Sequence, residues 1–103
     1  MSSAEIDESS WSQWLDFNPS VVNTMPESAG VFVMHASMKI LFIGSGQNLR
    51  KSLLESLSAP CRDKAKRFRY VLTSSYNEVK EKLIKEYLAK HNGKLPLCME
   101  KPT

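Results

Sequence analysis

Residues 30–44 read GVFVMHASMKILFIG, and they carry the main determinants of the architecture. They hold two short, mainly apolar runs, Val31 to His35 and Lys39 to Ile43, joined by the small segment Ala36-Ser37-Met38. Short apolar runs separated by a few residues are typical of paired antiparallel strands. The stretch therefore predicts a hairpin with strands over 30–35 and 39–43.

The residues after the hairpin add a helix, a strand and a second helix. Beyond Gly44-Ser45-Gly46, leucines at positions 49, 53 and 57 recur at helical spacing, which predicts a helix over 47–57. Apolar and basic residues alternate over 67–73, as expected for a third strand. The longest helix is predicted over 75–91, with Asn92-Gly93 as a left-handed stop. The sequence thus predicts an α+β fold, a three-stranded antiparallel sheet flanked by helices.

The apolar stripe of the last helix contains one charged residue. At about 100° per residue, Lys80 falls between Tyr76, Leu83 and Tyr87. Because an unpaired buried charge costs several kcal/mol, Lys80 must extend its ammonium to water, pair with a partner or face a cleft. The other side of this helix is predicted to be a solvated face with i,i+4 ion pairs, namely Glu78–Lys82, Glu81–Lys85 and Glu86–Lys90.

The start of the chain differs in composition from the rest. Residues 1–25 form a Ser-rich, acidic arm ahead of a domain over 26–103. Ser10 is expected to cap a short helix that carries Trp11 and Trp14 on one side and ends at Asn18-Pro19. We expect both Trp side chains to pack on the domain, with base stacking or a protein partner as alternatives.

Charge is unevenly distributed along the chain. Residues 1–38 carry five acidic and no basic residues, whereas residues 39–103 carry 14 basic and six acidic residues. Such an asymmetry favours a polyanionic partner for the C-terminal part of the chain. The alternative is a solvated surface whose basic excess has no role.

Length and composition exclude several classes of protein. A chain of 103 residues makes one domain, and no apolar run is long enough to cross a membrane. The acidic start does not resemble a secretion signal, so we expect the protein in the cytoplasm. Cys61 and Cys98 are then expected as reduced thiols, and with His35 and His91 they lack the spacing of a zinc site. No cofactor is expected.

A series of short motifs carries a resemblance to a known family. In chain order they are Gly30-Val31-Phe32, Phe42-Ile43-Gly44, Asn48-Leu49, Leu83-Ile84-Lys85 and Asn92. The series, over about residues 26–95, resembles the GIY-YIG nuclease superfamily, most closely the N-terminal nuclease domain of bacterial excinuclease C. The resemblance implies a GIY-YIG-like fold, DNA as the substrate, Mg²⁺ as the metal and a place in DNA repair.

The resemblance also implies that the catalytic positions have changed. The two family tyrosines fall on Phe32 and Phe42, which lack the hydroxyl. The family arginine falls on Ser52, and the metal-binding glutamate falls on Lys80, whose cation would repel Mg²⁺. Among the five functional positions of the family, only Asn92 holds the family's residue. We therefore expect no catalytic residue and no metal ligand at these positions.

The leading hypothesis is a GIY-YIG-like domain that has lost catalysis and binds nucleic acid, DNA rather than RNA, through a basic surface. Two alternatives remain for Lys80. Its ammonium contacts a phosphate directly, or it only extends to water. The candidate nucleic-acid-binding residues are Arg50, Lys51, Arg62, Lys64, Lys66, Arg67, Arg69 and Lys80.

Two hypotheses from other classes remain open. The first is an active metal-dependent DNA endonuclease that uses relocated residues, such as Glu55 or Glu81, for Mg²⁺. The second is a protein-interaction module in which Trp11 and Trp14 mark the partner surface. The balance of these arguments is against an enzyme, and no membrane partner is expected.

Overall fold

Four antiparallel strands form the centre of the fold in a computed structural model that describes residues 10–36 and 39–99. The elements are β1 (Leu15–Asp16), α1 (Pro19–Val22), β2 (Gly30–Ala36), β3 (Lys39–Gly46), α2 (Leu49–Leu57), a 3-10 helix (Arg62–Lys64), β4 (Arg67–Leu72), α3 (Tyr76–Lys90) and a second 3-10 helix (Leu97–Met99). The strand order is β1-β4-β2-β3. The predicted α+β architecture is confirmed, but the sheet has four strands and not three. Residues 37 and 38 of the predicted turn lie outside the described residues.

The helix predicted from Ser10 is wrong, because this segment is extended and supplies the extra strand. Ser12 N donates to Tyr70 O at 2.9 Å, and Ser12 Oγ accepts from Tyr70 N at 3.0 Å. Leu15 then lies opposite Phe68 in the sheet. The outer edge of β4 offers backbone donors and acceptors that need partners, and an extended segment satisfies them better than a helix would.

Asn18-Pro19 begins a helix instead of ending one. Asn18 Oδ1 accepts a hydrogen bond from Val21 N at 2.9 Å, and Pro19 occupies the first helical position. Asn is a favoured N-cap residue, and Pro is favoured at this position because it has no N–H to leave unpaired. The same two residues can thus stop one helix or start another, and the neighbouring strand determines which.

The sheet separates two apolar clusters. On one side, called the α2 face, Phe32, Met34 and Phe68 pack against α1 and α2. On the other, called the α3 face, Val31 and Val33 of β2 pack with α3 and with the two Trp side chains. Alternate residues of β2 therefore point to opposite clusters, as strand geometry requires.

Helix α3 carries the predicted stripe and the predicted stop. Val79 is buried in it, and the other stripe residues are partly buried against the sheet. After the helix Asn92 has φ 56° and Gly93 has φ 81°, and Gly93 N donates to Leu88 O at 2.8 Å. This closure is the left-handed stop expected after a helix. At 15 residues α3 is the longest described helix, and none of the described helices has the length and apolarity needed to cross a membrane.

Cys61 and Cys98 form a disulfide with their Cα atoms 5.6 Å apart, so the prediction of two reduced thiols is wrong. The residues are 37 positions apart in the sequence, and only the fold brings them together. The bond anchors the C-terminal segment beside β3, where Ile43 N donates to Met99 Sδ at 3.4 Å. The segment thereby covers part of an edge strand that would otherwise expose unpaired backbone groups.

Candidate functional site

The two phenylalanines that the resemblance aligns with the family tyrosines, Phe32 and Phe42, lie together on the α2 face. The rings of Phe32 and Phe42 have their centroids 6.0 Å apart, and Phe32 is only 2% exposed. A Cβ on Gly44 would lie 2.6 Å from the Phe42 ring, so only glycine allows both rings to pack at this point. Gly30 has a matching role, because a Cβ there would lie 2.6 Å from Val71 O. Phe32 is thus part of the core, and half-buried Phe42 packs against it.

A cation covers the outer ring of this pair. The guanidinium carbon of Arg62 lies 4.7 Å from the centroid of Phe42, a cation–π distance. Arg62 Nη1 also donates to Ser56 Oγ at 3.4 Å, which orients the guanidinium. Arg62, a predicted phosphate contact, therefore contributes to packing over Phe42.

The remaining family positions do not join this pair. Ser52 lies beside Gly46, the last residue of the eight-residue β3. A Cβ on Gly46 would lie 2.6 Å from Ser52 Oγ. Asn92 lies at the other end of β3, where it lines a cavity with Lys39. Lys80 is half-buried on α3, and no contact described for residues 10–36 and 39–99 links it to Phe32 or Phe42.

Asn48, Leu49 and Asn92, which match the GIY-YIG motifs, have structural roles in this fold. Asn48 Oδ1 accepts from Lys51 N at 3.1 Å and so caps α2, while Leu49 is completely buried. Asn92 adopts the left-handed conformation that ends α3, which Asn tolerates better than most residues. These positions are explained by folding without reference to catalysis.

Three of the residues that the resemblance places at catalytic positions, Phe32, Phe42 and Lys80, do not fit a divalent cation. Mg²⁺ prefers oxygen ligands, and two phenyl rings and an ammonium group offer none. Ser52 and Asn92 have side-chain oxygens but lie at opposite ends of β3.

Glu55 and Glu81, the alternative ligands, are both exposed, on α2 and α3 respectively. Within the described part of the chain, no three His, Cys, Asp or Glu side chains lie close enough to hold a metal ion. The expectation that the protein binds no Mg²⁺ stays a prediction.

The predicted phosphate contacts divide into engaged arginines and exposed lysines. Arg50 Nε donates to Met25 O at 2.8 Å, and its guanidinium lies 3.5 Å from Glu27. Arg67 lies 3.6 Å from Asp16. The exposed lysines among these candidates are Lys51, Lys64 and Lys66.

Arg69 belongs to a cluster on the α3 face. Its guanidinium carbon lies 4.9 Å from the ring centroid of Trp11 and 5.1 Å from that of Trp14. The Trp14 ring in turn lies 4.0 Å from the ring of His35. Both Trp side chains thus pack on the domain, as predicted from the sequence. The guanidinium of Arg69, which belongs to β4, lies against both Trp rings.

A cleft of about 450 Å³ opens beside this cluster, between the Trp side chains and α3. Its floor is apolar and contains Val33, Ile43 and Val79. The aromatic and charged residues that line it are Trp11, Trp14, Arg69, Lys82, Glu86, Tyr87, Lys90 and His91.

A second cavity of about 780 Å³ continues the first along the end of α3. The two share Ile40, Tyr87, Lys90 and His91, and the second adds Lys39, Asn92, Lys94, Leu95 and Leu97. We call the combined feature the α3 groove. It lies on the sheet face opposite Phe32 and Phe42.

The α3 groove is not predicted from the sequence. The i,i+4 pattern pairs Lys82 and Lys90 with glutamates of α3, but the described structure forms none of these pairs. One signal is present in the sequence, because Tyr87 and His91 are four residues apart on a helix and so share a face. Lys39 comes from β3, whereas Lys82 and Lys90 belong to α3, and no local pattern connects the two elements.

A family model described as "Domain of unknown function (DUF7508)" matches residues 10–90. The chain belongs to the DUF7508 family. No curated protein matches it. The match includes β1 and both Trp residues, so the N-terminal segment of this DUF7508 member is part of the family domain.

Solved structures of the GIY-YIG N-terminal endonuclease domain of UvrC from Thermotoga maritima are similar to this DUF7508 domain. The magnesium-bound form is 16% identical over 79% of this chain and 93% of that one, with a TM-score of 0.58. A Tyr-to-Phe point mutant bound to the catalytic divalent cation is 17% identical over 80% and 93%, with the same TM-score. An Asn-to-Ala point mutant is 16% identical over 80% and 93%, at 0.59. The predicted GIY-YIG-like fold is therefore confirmed.

Proposed function

We propose that this DUF7508 domain binds nucleic acid, DNA rather than RNA, through its basic surface and does not cleave it. One observation carries the loss of catalysis. The positions of the family tyrosines hold Phe32 and Phe42, packed on each other above Gly44 and covered by Arg62. The two phenyl rings have no group that could take or give a proton.

Lys80 adds the electrostatic part of the argument. Metal-assisted hydrolysis of a phosphodiester needs carboxylates that hold the cation, and a lysine at that position repels it. The Thermotoga maritima UvrC domain is bound to its catalytic divalent cation in Tyr-to-Phe mutants. Replacing a tyrosine ring by a phenyl ring therefore need not remove the metal, and the charge at position 80 becomes the stronger reason to expect none.

The distribution of charge supports the binding part of the proposal. All 14 basic residues lie in 39–103, and many of their side chains are exposed. Lysine and arginine side chains that neutralise phosphates release counterions, which makes binding strongly salt-dependent. DNA is preferred over RNA because of the resemblance to nucleases that act on DNA.

A nicking assay on supercoiled plasmid with Mg²⁺ tests the loss of catalysis. The natural chain is expected to leave the plasmid intact, and no single reversion among Phe32→Tyr, Phe42→Tyr, Ser52→Arg and Lys80→Glu should produce activity. Catalytic groups that act as a unit are strongly non-additive, so one restored group recovers little. Cleavage by the natural chain that a chelator abolishes would contradict the proposal, as would a specific Mg²⁺ or Mn²⁺ site near Lys80 in calorimetry.

Fluorescence anisotropy tests the binding. Labelled duplex DNA, single-stranded DNA and RNA are titrated at two salt concentrations, with Mg²⁺ present. Lys80→Glu is expected to weaken binding and lower the salt slope by about one, against Lys80→Gln as the variant that removes the charge without reversing it. Failure to bind any of the three at low salt would overturn the proposal and favour a protein-interaction module.

The cytoplasm remains the proposed compartment, and the Cys61–Cys98 bond weighs against it. Disulfides are rare in the cytosol because cellular reductants keep thiols reduced. Alkylation of the chain at the moment of cell lysis, followed by mass spectrometry, measures the state of both cysteines. Two alkylated thiols support the cytoplasm, and an intact bond contradicts it.

A further inference from the structure

The end of α3 presents an oriented aromatic stack. The rings of Tyr87 and His91 are nearly parallel, at 11°, with centroids 3.8 Å apart. His91 Nδ1 lies 2.8 Å from Tyr87 O, and a carbonyl oxygen only accepts hydrogen bonds. Nδ1 must therefore carry the proton, and this bond fixes the plane of the imidazole. Because His91 is exposed while Tyr87 is half-buried, the outer surface of the stack faces solvent.

Exposed cations surround this stack. Lys39, Lys90 and Lys94 line the same part of the groove, and Lys82 lies further along it. Within residues 10–36 and 39–99, none of these four lysines takes part in an ion pair. Glu86 is the one acidic residue that lines either cavity in the described structure. The groove therefore offers a net positive potential next to an aromatic surface.

This combination matches the chemistry of an unpaired nucleic-acid strand. Proteins bind such strands with a cationic groove for the backbone and aromatic rings on which bases stack. A duplex offers phosphates but hides the faces of its bases inside the stack, so it cannot use the Tyr87–His91 surface. An acidic polypeptide would use the lysines and would gain little from the rings.

We propose that the α3 groove binds an unpaired segment of nucleic acid, with a base stacked on His91 and phosphates at Lys39, Lys90 and Lys94. The inference rests on the proposed function and adds the site and the strand type. It places the binding site on the sheet face opposite Phe32 and Phe42, at residues that the sequence does not predict as contacts.

The test uses the full chain with a labelled oligothymidylate and a duplex of the same length. His91→Ala is expected to weaken oligothymidylate binding at least about fivefold, because stacking on an aromatic side chain contributes about 1–3 kcal/mol per base. His91→Phe retains an aromatic face and should retain the affinity. Duplex binding should be the same for all three proteins. Circular dichroism checks that each variant is folded.

A charge-matched pair of single variants locates the phosphates. Lys90→Gln should lower the salt slope for oligothymidylate by about 0.7, the contribution of one phosphate contact, and Lys90→Gln with Lys94→Gln should lower it by about 1.4. Lys85→Gln removes one charge from the exposed face of α3, outside both cavities, and should leave that slope unchanged. Equal effects of Lys90→Gln and Lys85→Gln, or competition by polyglutamate as strong as by oligothymidylate, would overturn the inference.

The outcomes separate the two proposals. Binding of both probes that no groove variant changes leaves the proposed function standing and overturns the assignment to the α3 groove. Failure to bind either probe at low salt overturns both. Selective loss of oligothymidylate binding in the groove variants supports both.

Discussion

The two faces of the sheet use their aromatic residues in opposite ways. On the α2 face, packing and a covering arginine close the surface at Phe32 and Phe42. On the α3 face, Tyr87 and His91 line an open groove among lysines. Both faces belong to one sheet, and β2 contributes alternate residues to each. A shared fold thus preserves the scaffold and does not determine which face offers a binding surface.

Truncating one ring on each face should give the largest difference. Phe32→Ala is expected to lower the free energy of unfolding by about 3–5 kcal/mol, because it leaves a cavity in a packed core. His91→Ala should change it by no more than about 0.5 kcal/mol, since the side chain is exposed. Urea denaturation of both variants measures the contrast. Equal losses would show that the faces do not differ as described.

The C-terminal segment, which the disulfide anchors, contacts both faces of the sheet. Cys98 packs against the cluster of the α2 face, and Met99 packs against that of the α3 face. Replacing Cys61 and Cys98 together by serine should lower stability by about 2–4 kcal/mol, because the bond restricts the unfolded chain over 37 residues. Denaturation of the oxidised chain and of the double variant gives the value, with the reduced natural chain as the control. A loss below about 1 kcal/mol would mean that the bond adds little to the covering of β3.

Adding a hydroxyl to each ring should distinguish the two phenylalanines of the α2 face. Phe32→Tyr places a hydroxyl in a site that is 2% exposed, so it should cost about 1–3 kcal/mol unless the group finds a partner. Phe42→Tyr, at a half-buried site, should cost less. Thermal unfolding of both single variants checks the order. If Phe32→Tyr leaves the stability unchanged, the α2 face has room for a polar group at this position.

The smallest effect is expected at the sheet edge that holds the N-terminal segment. Asp16→Asn removes the exposed ion pair with Arg67 and should change stability by less than about 1 kcal/mol, because water screens such pairs. Ser12→Ala, which deletes an acceptor for Tyr70 N, provides a comparison within the same segment. A larger loss for Asp16→Asn than for Ser12→Ala would contradict the view that the hydrogen bond between Ser12 and Tyr70 stabilises this edge more than the exposed ion pair does.

Elements whose side chains repeat with a clear period are predicted well from the sequence. The helix predicted over 75–91 is Tyr76–Lys90, and the strands predicted over 30–35 and 67–73 are Gly30–Ala36 and Arg67–Leu72. Strand β1 is missed because a strand of two residues is too short to show an alternating pattern. It is defined by its backbone pairing with β4, which the local sequence does not show. The resemblance identifies the fold family from motifs that are structural residues of the scaffold.

Local sequence is enough to establish the hairpin and the main helices. It also establishes that Phe32 and Phe42 have no hydroxyl group and that Lys80 has no carboxylate. These follow from periodicity and from the functional groups of single residues, which need no coordinates. The folded chain alone establishes that Cys61 meets Cys98, that the two Trp residues lie on an extended segment, and that lysines from β3 and α3 line one groove. Such pairings depend on how distant segments pack, and packing is a property of the whole chain that no short window of sequence contains.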